Sequence, residues 1–461
     1  MNGRRSPALR FPYTPPPGSS MSRTAKKIIP LLLTAAFALP LHADTLRLSF
    51  QDAVDLALRE GTVARLARSQ EERAEIARGE ALSGLLPQSE ARILRYNESV
   101  NLALFGFELP GFPPVIGPFN VTDAQVTAAM QLFNLAALRY YQASRAGVDA
   151  GRFHVQRAQN DVIMTVARLY VLVQRADAQV SSREGDVKLF EELARIAKDE
   201  FDAGTGTRLD VAQGNVQLAR AREALLRAQN DRQSARLALL SAIGADQSSE
   251  LVLAEPLGVP PAAPTVDAAL AAARTGRPEL KELEATERQA QLTLDSAKAR
   301  RVPHVELNFQ GDYAGNRTDE MHSSRRIGAG VVMPIFRGDL GANIARARLE
   351  LEDVRTRATS AERDVEQQVR TSLLSLENAE ARVTVAAESA KVAGEALTIA
   401  RERKSAGYGS PVEVDRAEDA YRQAHEDEIA ARADAALASY QLRYAMGTIA
   451  GGATPAAEST P

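Results

Sequence analysis

The chain has 461 residues, with 56 basic against 59 acidic side chains and a formal net charge of −3. That balance offers no basic surface for a nucleic acid, and no nucleic-acid partner is expected. Cysteine and tryptophan are absent and aromatics make up 5%. The lack of cysteine excludes disulfides, thiolate metal sites, a cysteine nucleophile and a lipidated N-terminal cysteine, so any membrane attachment must come from the fold. Few aromatics beside abundant Ala, Leu, Glu and Arg favour long helices over a compact α/β core.

In chain order, the first element is an export signal. Arg23, Lys26 and Lys27 precede a run from Ile28 to Leu41 that is apolar apart from Thr34. About 14 residues fall short of the ~20 needed to span a bilayer. A basic start, a short apolar core and small Ala43 read as a secretory signal cleaved near residue 43. An uncleaved anchor or a buried helix is the alternative. Residues 1–20 are Pro-rich and unlike such a basic region, which makes Met21 an alternative start.

The remainder reads as one unit used twice. Slid along itself without a gap, the chain sets Phe133 on Phe336, Asp161-Val162 on Asp364-Val365, Ala203-Gly204 on Ala406-Gly407, Gly206 on Gly409 and Gly244 on Gly447. Further upstream the shift grows and Pro87 meets Pro303; matches at glycine, proline and phenylalanine argue against chance alignment of Ala-rich helices. The units are 44–254 and 265–447, joined by a Pro-rich linker at 255–264 and followed by a Gly/Ala/Pro/Ser tail at 448–461 expected to be disordered. Each opens with a short amphipathic segment (Leu48–Glu60, Val266–Thr275) and a helix of about six turns running to Pro87 or Pro303, since proline removes an amide donor.

Two strand-like segments follow in each unit. In the second, Val305, Leu307, Phe309 and Tyr313 alternate with His304, Glu306, Asn308, Gln310 and Asp312, and Ile327, Ala329, Val331 and Met333 keep the same period. In the first, Ala124, Val126, Ala128, Met130 and Leu132 alternate with Asp123, Gln125, Thr127 and Gln131, while Ser89–Glu98 alternates poorly. Period two gives one apolar and one polar face. Such strands suit an outer-membrane barrel with lipid outside and a wet lumen inside, and equally a soluble half-buried sheet. Four strands cannot close in lipid, so the barrel reading requires an oligomer, and three chains would supply twelve strands. Val100–Phe119 and Ala314–Arg325 are the expected external loops.

Long helices complete each unit. No proline interrupts Asn134 to Ala203, and roughly 70 residues of helix reach on the order of 100 Å. Val162, Val166, Leu169, Val173, Ala176 and Val180 follow a 4-3 spacing, repeated in part at Val365, Val369, Leu376, Ala379 and Val383. That is a coiled-coil seam. The helices turn back at Gly204-x-Gly206 and Gly407-x-Gly409, with Thr207 and Ser410 as caps and Pro411 at the first helical position.

Three stretches carry a family resemblance. They are Leu48-Ser49-Phe50-Gln51-Asp52-Ala53 with Ala57-Leu58, Met333-Pro334-Ile335-Phe336-Arg337-Gly338, and Ala406 through Val414. Their order resembles the TolC-like outer-membrane efflux proteins from Leu46 to Gly447. The resemblance implies a mixed α+β membrane protein: a homotrimer with a twelve-stranded barrel in outer-membrane lipid and an α-helical tunnel through the periplasm of a Gram-negative bacterium. Its helical tips would meet a periplasmic adaptor coupled to an inner-membrane RND or ABC pump, serving efflux or type I secretion. The tips are Gly204, Gly206, Thr207, Gly407, Gly409 and Ser410.

Gate residues carry over in part. Glu413 matches the first acidic ring of the family, and the second falls on Arg416, beside Asp415. Asp210 matches the acid that helps lock the closed state, while its usual Tyr and Arg partners fall on Lys404 and Gly409. A Lys404–Asp210 ion pair is expected as a partial lock; solvated tip charges are the plainer alternative. The gate is expected to depend mainly on the second unit. No catalysis or cofactor is expected, because the five histidines show no metal-ligand spacing; a metal pair at His304 and Glu306 is conceivable, a wet polar wall the simpler reading. A periplasmic adaptor or structural scaffold, or a passive porin, are the other classes open to this sequence.

Overall fold

The computed structural model describes residues 45–106, 110–111, 113–256, 263–317 and 320–451. The export signal lies outside these residues, as do most of the linker and of the tail. The elements are β1 (Thr45–Leu48), α1 (Phe50–Glu60), α2 (Thr62–Ser83), β2 (Gln88–Asn101), β3 (Val115–Phe133), α3 (Leu135–Asp202), α4 (Arg208–Ile243) and β4 (Glu250–Leu253). They continue with α5 (Val266–Gly276), α6 (Pro278–Ala299), β5 (His304–Gly315), β6 (His322–Val332), α7 (Asp339–Ser405) and α8 (Pro411–Ala445). The order helix, helix, strand, strand, long helix, shorter helix thus occurs twice. Among the described residues no helix is long and apolar enough to cross a membrane.

Local chemistry sets the element ends. Ser49 and Asp52 form a reciprocal capping box at the start of α1, satisfying amides that lack helical partners. The single residue Asn134 converts strand into helix, its side chain accepting from the Ala137 amide at 3.0 Å. Helices α2 and α6 stop at Ser83 and Ala299, about a turn before Pro87 and Pro303, because proline also disfavours the helical region for the residue before it.

The strands form one antiparallel sheet in the order β2-β3-β5-β6. Each hairpin keeps its own pair, and Ala128 on β3 faces Phe309 on β5 to join the hairpins. The ladders outrun the expected strands: Glu98 faces Phe119 and, past a bulge, Asn101 faces Val115, while Ala314 faces His322. The connections are correspondingly shorter than expected, 102–114 and 316–321. Backbone pairing does not depend on side-chain polarity, so a ladder can continue where alternation fades. A second, parallel pair, β1 with β4, has no counterpart in the sequence reading; four residues are too few to show a period.

The helices form a layer. In the half nearer the strands, contacts run from α2 to α3 to α6 to α7; in the half nearer the turns, from α4 to α3 to α8 to α7. Helix α3, at 68 residues, serves both halves as a rod of about 100 Å. The expected seam is buried at Val162, Val166, Val173, Ala176 and Val180 and again at Val365, Val369, Leu376 and Ala379. The main core lies mid-length, where Phe50, Ala53 and Ala57 of α1 meet Tyr170 and Val173 of α3, Leu239, Leu240 and Ile243 of α4, and Leu251 of β4. Ile449 is buried in the same core. The start of the expected tail, Ile449–Gly451, forms a short helical turn; the residues after Gly451 lie outside the described ones.

A polar knot links the two units at this level. Arg277 is 4% exposed. It donates to Gln368 Oε1 at 2.9 Å, Glu279 Oε2 at 2.8 Å and the Tyr444 carbonyl at 3.2 Å, and lies 5.1 Å over the Tyr444 ring. The Tyr444 hydroxyl donates to Asp161 Oδ1 at 2.5 Å. Burial, then that hydrogen bond to Asp161, pushes the hydroxyl up to about 12, so it remains a donor at any physiological pH.

Leu239 is fully buried at the centre of the main core. Leu239→Ala is expected to cost about 2–5 kcal/mol, lowering the helical unfolding midpoint by circular dichroism while leaving the low-temperature spectrum unchanged.

Candidate functional site

Two places carry polar chemistry: one face of the sheet and the helical turns. In the sheet, Arg92, Gln125, Asp312 and Ser324 stand in one cross-strand row. Gln125 Nε2 donates to Asp312 Oδ1 at 2.8 Å, Gln310 Nε2 donates to it at 3.0 Å, and Ser324 Oγ donates to Asp312 Oδ2 at 3.3 Å. Glu90, Thr127, Gln310 and Arg326 form the next row on this face. The row between these two, on the opposite face, is Ala91-Val126-Gly311-Arg325, and that face continues with Ala128-Phe309-Ile327, Met130-Leu307-Ala329 and Val305-Val331. The sheet is two-faced, as period two requires. Strand β2 reads poorly in sequence because Leu94 falls in register with the polar face and Arg95 with the apolar one.

His304 and Glu306 meet on β5, Nε2 to Oε1 at 2.9 Å. Among the described residues no group of three or more His, Cys, Asp or Glu side chains could hold a metal ion.

The turns are built twice on one bonding pattern. The amides of Thr205 and Gly206 both donate to the Glu200 carbonyl at 2.9 Å, and those of Tyr408 and Gly409 both donate to the Arg403 carbonyl at 2.9 Å. Gly204 and Gly407 take φ of +77° and +79°, the left-handed region where a side chain is strained. The second glycine has a different duty. A Cβ on Gly206 would lie 3.0 Å from the Phe201 amide, and on Gly409 2.8 Å from the Lys404 amide. Thr207 forms a capping box with Asp210: the Asp210 amide donates to Thr207 Oγ1 at 3.2 Å, while the Thr207 amide and hydroxyl donate to Asp210 Oδ2 at 2.9 and 2.6 Å. Ser410 Oγ accepts from the Glu413 amide at 3.2 Å.

The gate candidates divide. Asp210, Lys404 and Asp415 line one cavity of about 270 Å³ between the two turns, together with Phe190, Gln213 and Glu418. Asp210 spends its carboxylate on Thr207, whose hydrogen bonds are the first cause of its lowered pKa; Lys404 contributes a smaller attraction through space. The expected Lys404–Asp210 ion pair is not among the ion pairs of the described residues: the two charges share a cavity without contact, because the capping box holds the carboxylate. Glu413 lies outside the cavity, 4.0 Å from Arg403. Arg416 is exposed on α8 and outside the cavity lining.

One cavity residue has no signal in the sequence. Glu418 is 5% exposed and pairs with Arg401 at 3.3 Å. Within the Ala-, Glu- and Arg-rich text of α8 it reads as one more solvated acid; only the packing of α8 against α3 and α7 singles it out. Burial, more than the Asp415 charge, raises its pKa above 4.5, against the opposing attraction of Arg401 and Lys404.

Comparison with known proteins agrees with this architecture. The family model described as outer membrane efflux protein matches residues 118–245 and 269–448, more than half of the chain. The chain belongs to the outer membrane efflux protein family. The chain also shares the fold of solved outer membrane proteins. The Campylobacter jejuni CmeC outer membrane channel superposes with a TM-score of 0.73 at 18% identity, over 87% of this chain and 86% of that one. The outer membrane protein VceC from Vibrio cholerae gives 0.74 at 16%, over 86% and 96%. The open state of the Neisseria gonorrhoeae MtrE outer membrane channel gives 0.73 at 20%, over 87% and 89%. Comparison with curated protein sequences finds no significant match.

The raised pKa of Glu418 has a signed consequence. The unfolded chain releases this proton first as pH rises, so tip stability falls from about pH 4.5 through the raised folded value. Amide protection of the first turns of α8, corrected for intrinsic exchange, is expected to be higher at mildly acidic than at neutral pH, and Glu418→Gln is expected to flatten the difference.

Proposed function

We propose that this family member is the outer-membrane exit duct of a tripartite efflux or type I secretion system. It works as a homotrimer whose twelve strands close a barrel in outer-membrane lipid and whose helices continue as a tunnel into the periplasm. The observation that carries this reading is the four-stranded, two-faced sheet with both outer strands open. Its 12-residue strand β5 is about 40 Å long and, tilted near 45°, spans about 28 Å, the thickness of a bilayer core. Two chains would give eight strands, a barrel filled by its own side chains; three give a bore.

The two units, 44–254 and 265–447, act as a duplicated module, each supplying one hairpin to the barrel and one helical hairpin to the tunnel. The turns at Gly204, Gly206, Thr207, Gly407, Gly409 and Ser410 are the adaptor-contact tips, lying at the ends of α3 and α7 away from the strands. Through the adaptor the duct serves an inner-membrane RND or ABC pump, and an open wet tunnel leaves substrate choice to that pump. A coiled-coil adaptor or scaffold shares the helices but has no use for a two-faced sheet. Export by a cleaved signal in a Gram-negative cell, without a lipid anchor, completes the reading.

The gate follows from the tip cavity. Lys404 sits among Asp210, Asp415 and Glu418 and attracts the two turns toward each other in the closed state; Glu413 and Arg416 lie outside the cavity and add charge beside it. Single-channel recording in planar bilayers is expected to show higher resting conductance for Lys404→Ala. A closed state identical to that of the unchanged protein would sink this gate and leave the duct intact. A strain lacking the chain is expected to be more susceptible to drugs, dyes and detergents, and recovery of the protein in the soluble periplasm would sink the duct itself.

A further inference from the structure

A cavity of about 530 Å³ opens where the sheet meets the helices. Its wall is built from the start of α3, the end of α6, the first residue of β5 and the segment leading from β6 into α7. Ser296 fastens this joint: it is buried, and its hydroxyl donates to the Ala136 carbonyl at 2.8 Å. The cavity lies on the polar face of the sheet. His304 faces Val332 in register, and along β5 it keeps the parity of Gln310 and Asp312, which stand in the polar rows.

The wall is cationic and apolar at once. Arg300, Arg337 and His304 stand beside Tyr140, Val302 and Val332, and no acid among the described residues lines it. The Arg300 guanidinium is exposed and has no ion-pair or hydrogen-bond partner among the described residues. Arg337 gives two donors to Asp339, at 3.1 and 3.0 Å, and keeps the others. Glu306, the acid next to the cavity, is taken by His304. Tyr140, Val302 and Val332 are 54%, 39% and 43% exposed, so apolar surface stays bare beside the free guanidinium. A guanidinium offers a planar fork of donors to a carboxylate or sulfonate. The bare wall suits an apolar body attached to that head, and the volume falls within the range of small-ligand sites. A wall without acids disfavours a cation.

We propose that this cavity is a binding site for anionic amphiphiles, solutes with a carboxylate or sulfonate head on an apolar body. Arg300 is the principal contact for the head and Arg337 the second, while Tyr140, Val302 and Val332 hold the body. The proposal rests on the duct reading, in which the polar face of the sheet lines the bore. The site then meets solutes in transit, at the passage from helical tunnel to barrel, and not the lipid outside. The pump decides what enters; the site lengthens the stay of anionic solutes at the joint.

The chain contains no tryptophan, so Tyr140→Trp places a single reporter in the cavity wall. In the full-length protein in lipid nanodiscs, octanesulfonate is expected to shift the emission of this Trp to the blue with a saturable dependence. Methanesulfonate, which lacks the apolar body, and octyltrimethylammonium, which reverses the charge, are expected to leave it unmoved. Arg300→Glu in the same background is expected to raise the half-saturating concentration by at least about tenfold, and Arg300→Lys to raise it less. Arg301→Glu makes the same charge change one residue outside the cavity wall and is expected to have little effect. Calorimetric titration of the unsubstituted protein checks that the reporter itself has not altered the cavity. Membrane-embedded protein without saturable binding by either method, or an equal loss from Arg301→Glu, overturns the site and spares the duct. A response abolished by adding phosphatidylglycerol to the nanodiscs overturns the solute reading in favour of a lipid headgroup. Recovery of the protein in the soluble periplasm overturns the duct reading on which the site rests.

Discussion

The structure depends on the backbone hydrogen bonds of two strands, β2 and β6. Each pairs on one side only within the chain, leaving a row of amides and carbonyls along the other. In water such an edge is tolerable; in hydrocarbon every unsatisfied group costs several kcal/mol. On the proposed reading, the sheet meets another copy of itself in the bilayer, which satisfies both edges. The antiparallel order fits that proposal: with four strands alternating in direction, β6 of one chain would meet β2 of the next antiparallel as well, and the proposed ring would close with no change of pairing type.

The helices inherit this constraint. Asn134 is the only residue between β3 and α3, so the direction of the strand hands over directly to a 68-residue helix. Large apolar residues are left exposed on α2, α4 and α7, which fits the proposed ring of subunits. Inside the chain, stability comes from the mid-length core around Tyr170, Leu239 and Ile243 and from the Arg277–Tyr444–Asp161 connection, which ties the second unit to the first far from both sheet and turns. The turns lie away from that core: their charges are exposed or half-buried, apart from the buried Glu418, and individually weak.

Much of this architecture is legible in the residues, because period two, the 4-3 seam and the Gly-x-Gly turns are local signals with local causes. The duplicated layout could be read because glycine and proline mark the same joints twice. Strand β2 was hard to read because Leu94 and Arg95 break its alternation, and β1 and β4 are invisible because their pairing joins segments some two hundred residues apart. At the tips, residue type alone suggests a Lys404–Asp210 contact. The packed structure gives the Asp210 carboxylate to its own capping box and buries Glu418, an acid that nothing in the spelling of α8 sets apart. Local rules carry elements; which charge is buried is decided by packing between elements.

The central claim, that the open edges are paired in the membrane, is tested most directly by hydrogen–deuterium exchange of the protein in outer-membrane vesicles. The amides of β2 and β6 should exchange as slowly as those of the inner strands β3 and β5. Rapid exchange confined to β2 and β6 would contradict the account, because it would mean a four-stranded sheet with free edges and no closed barrel.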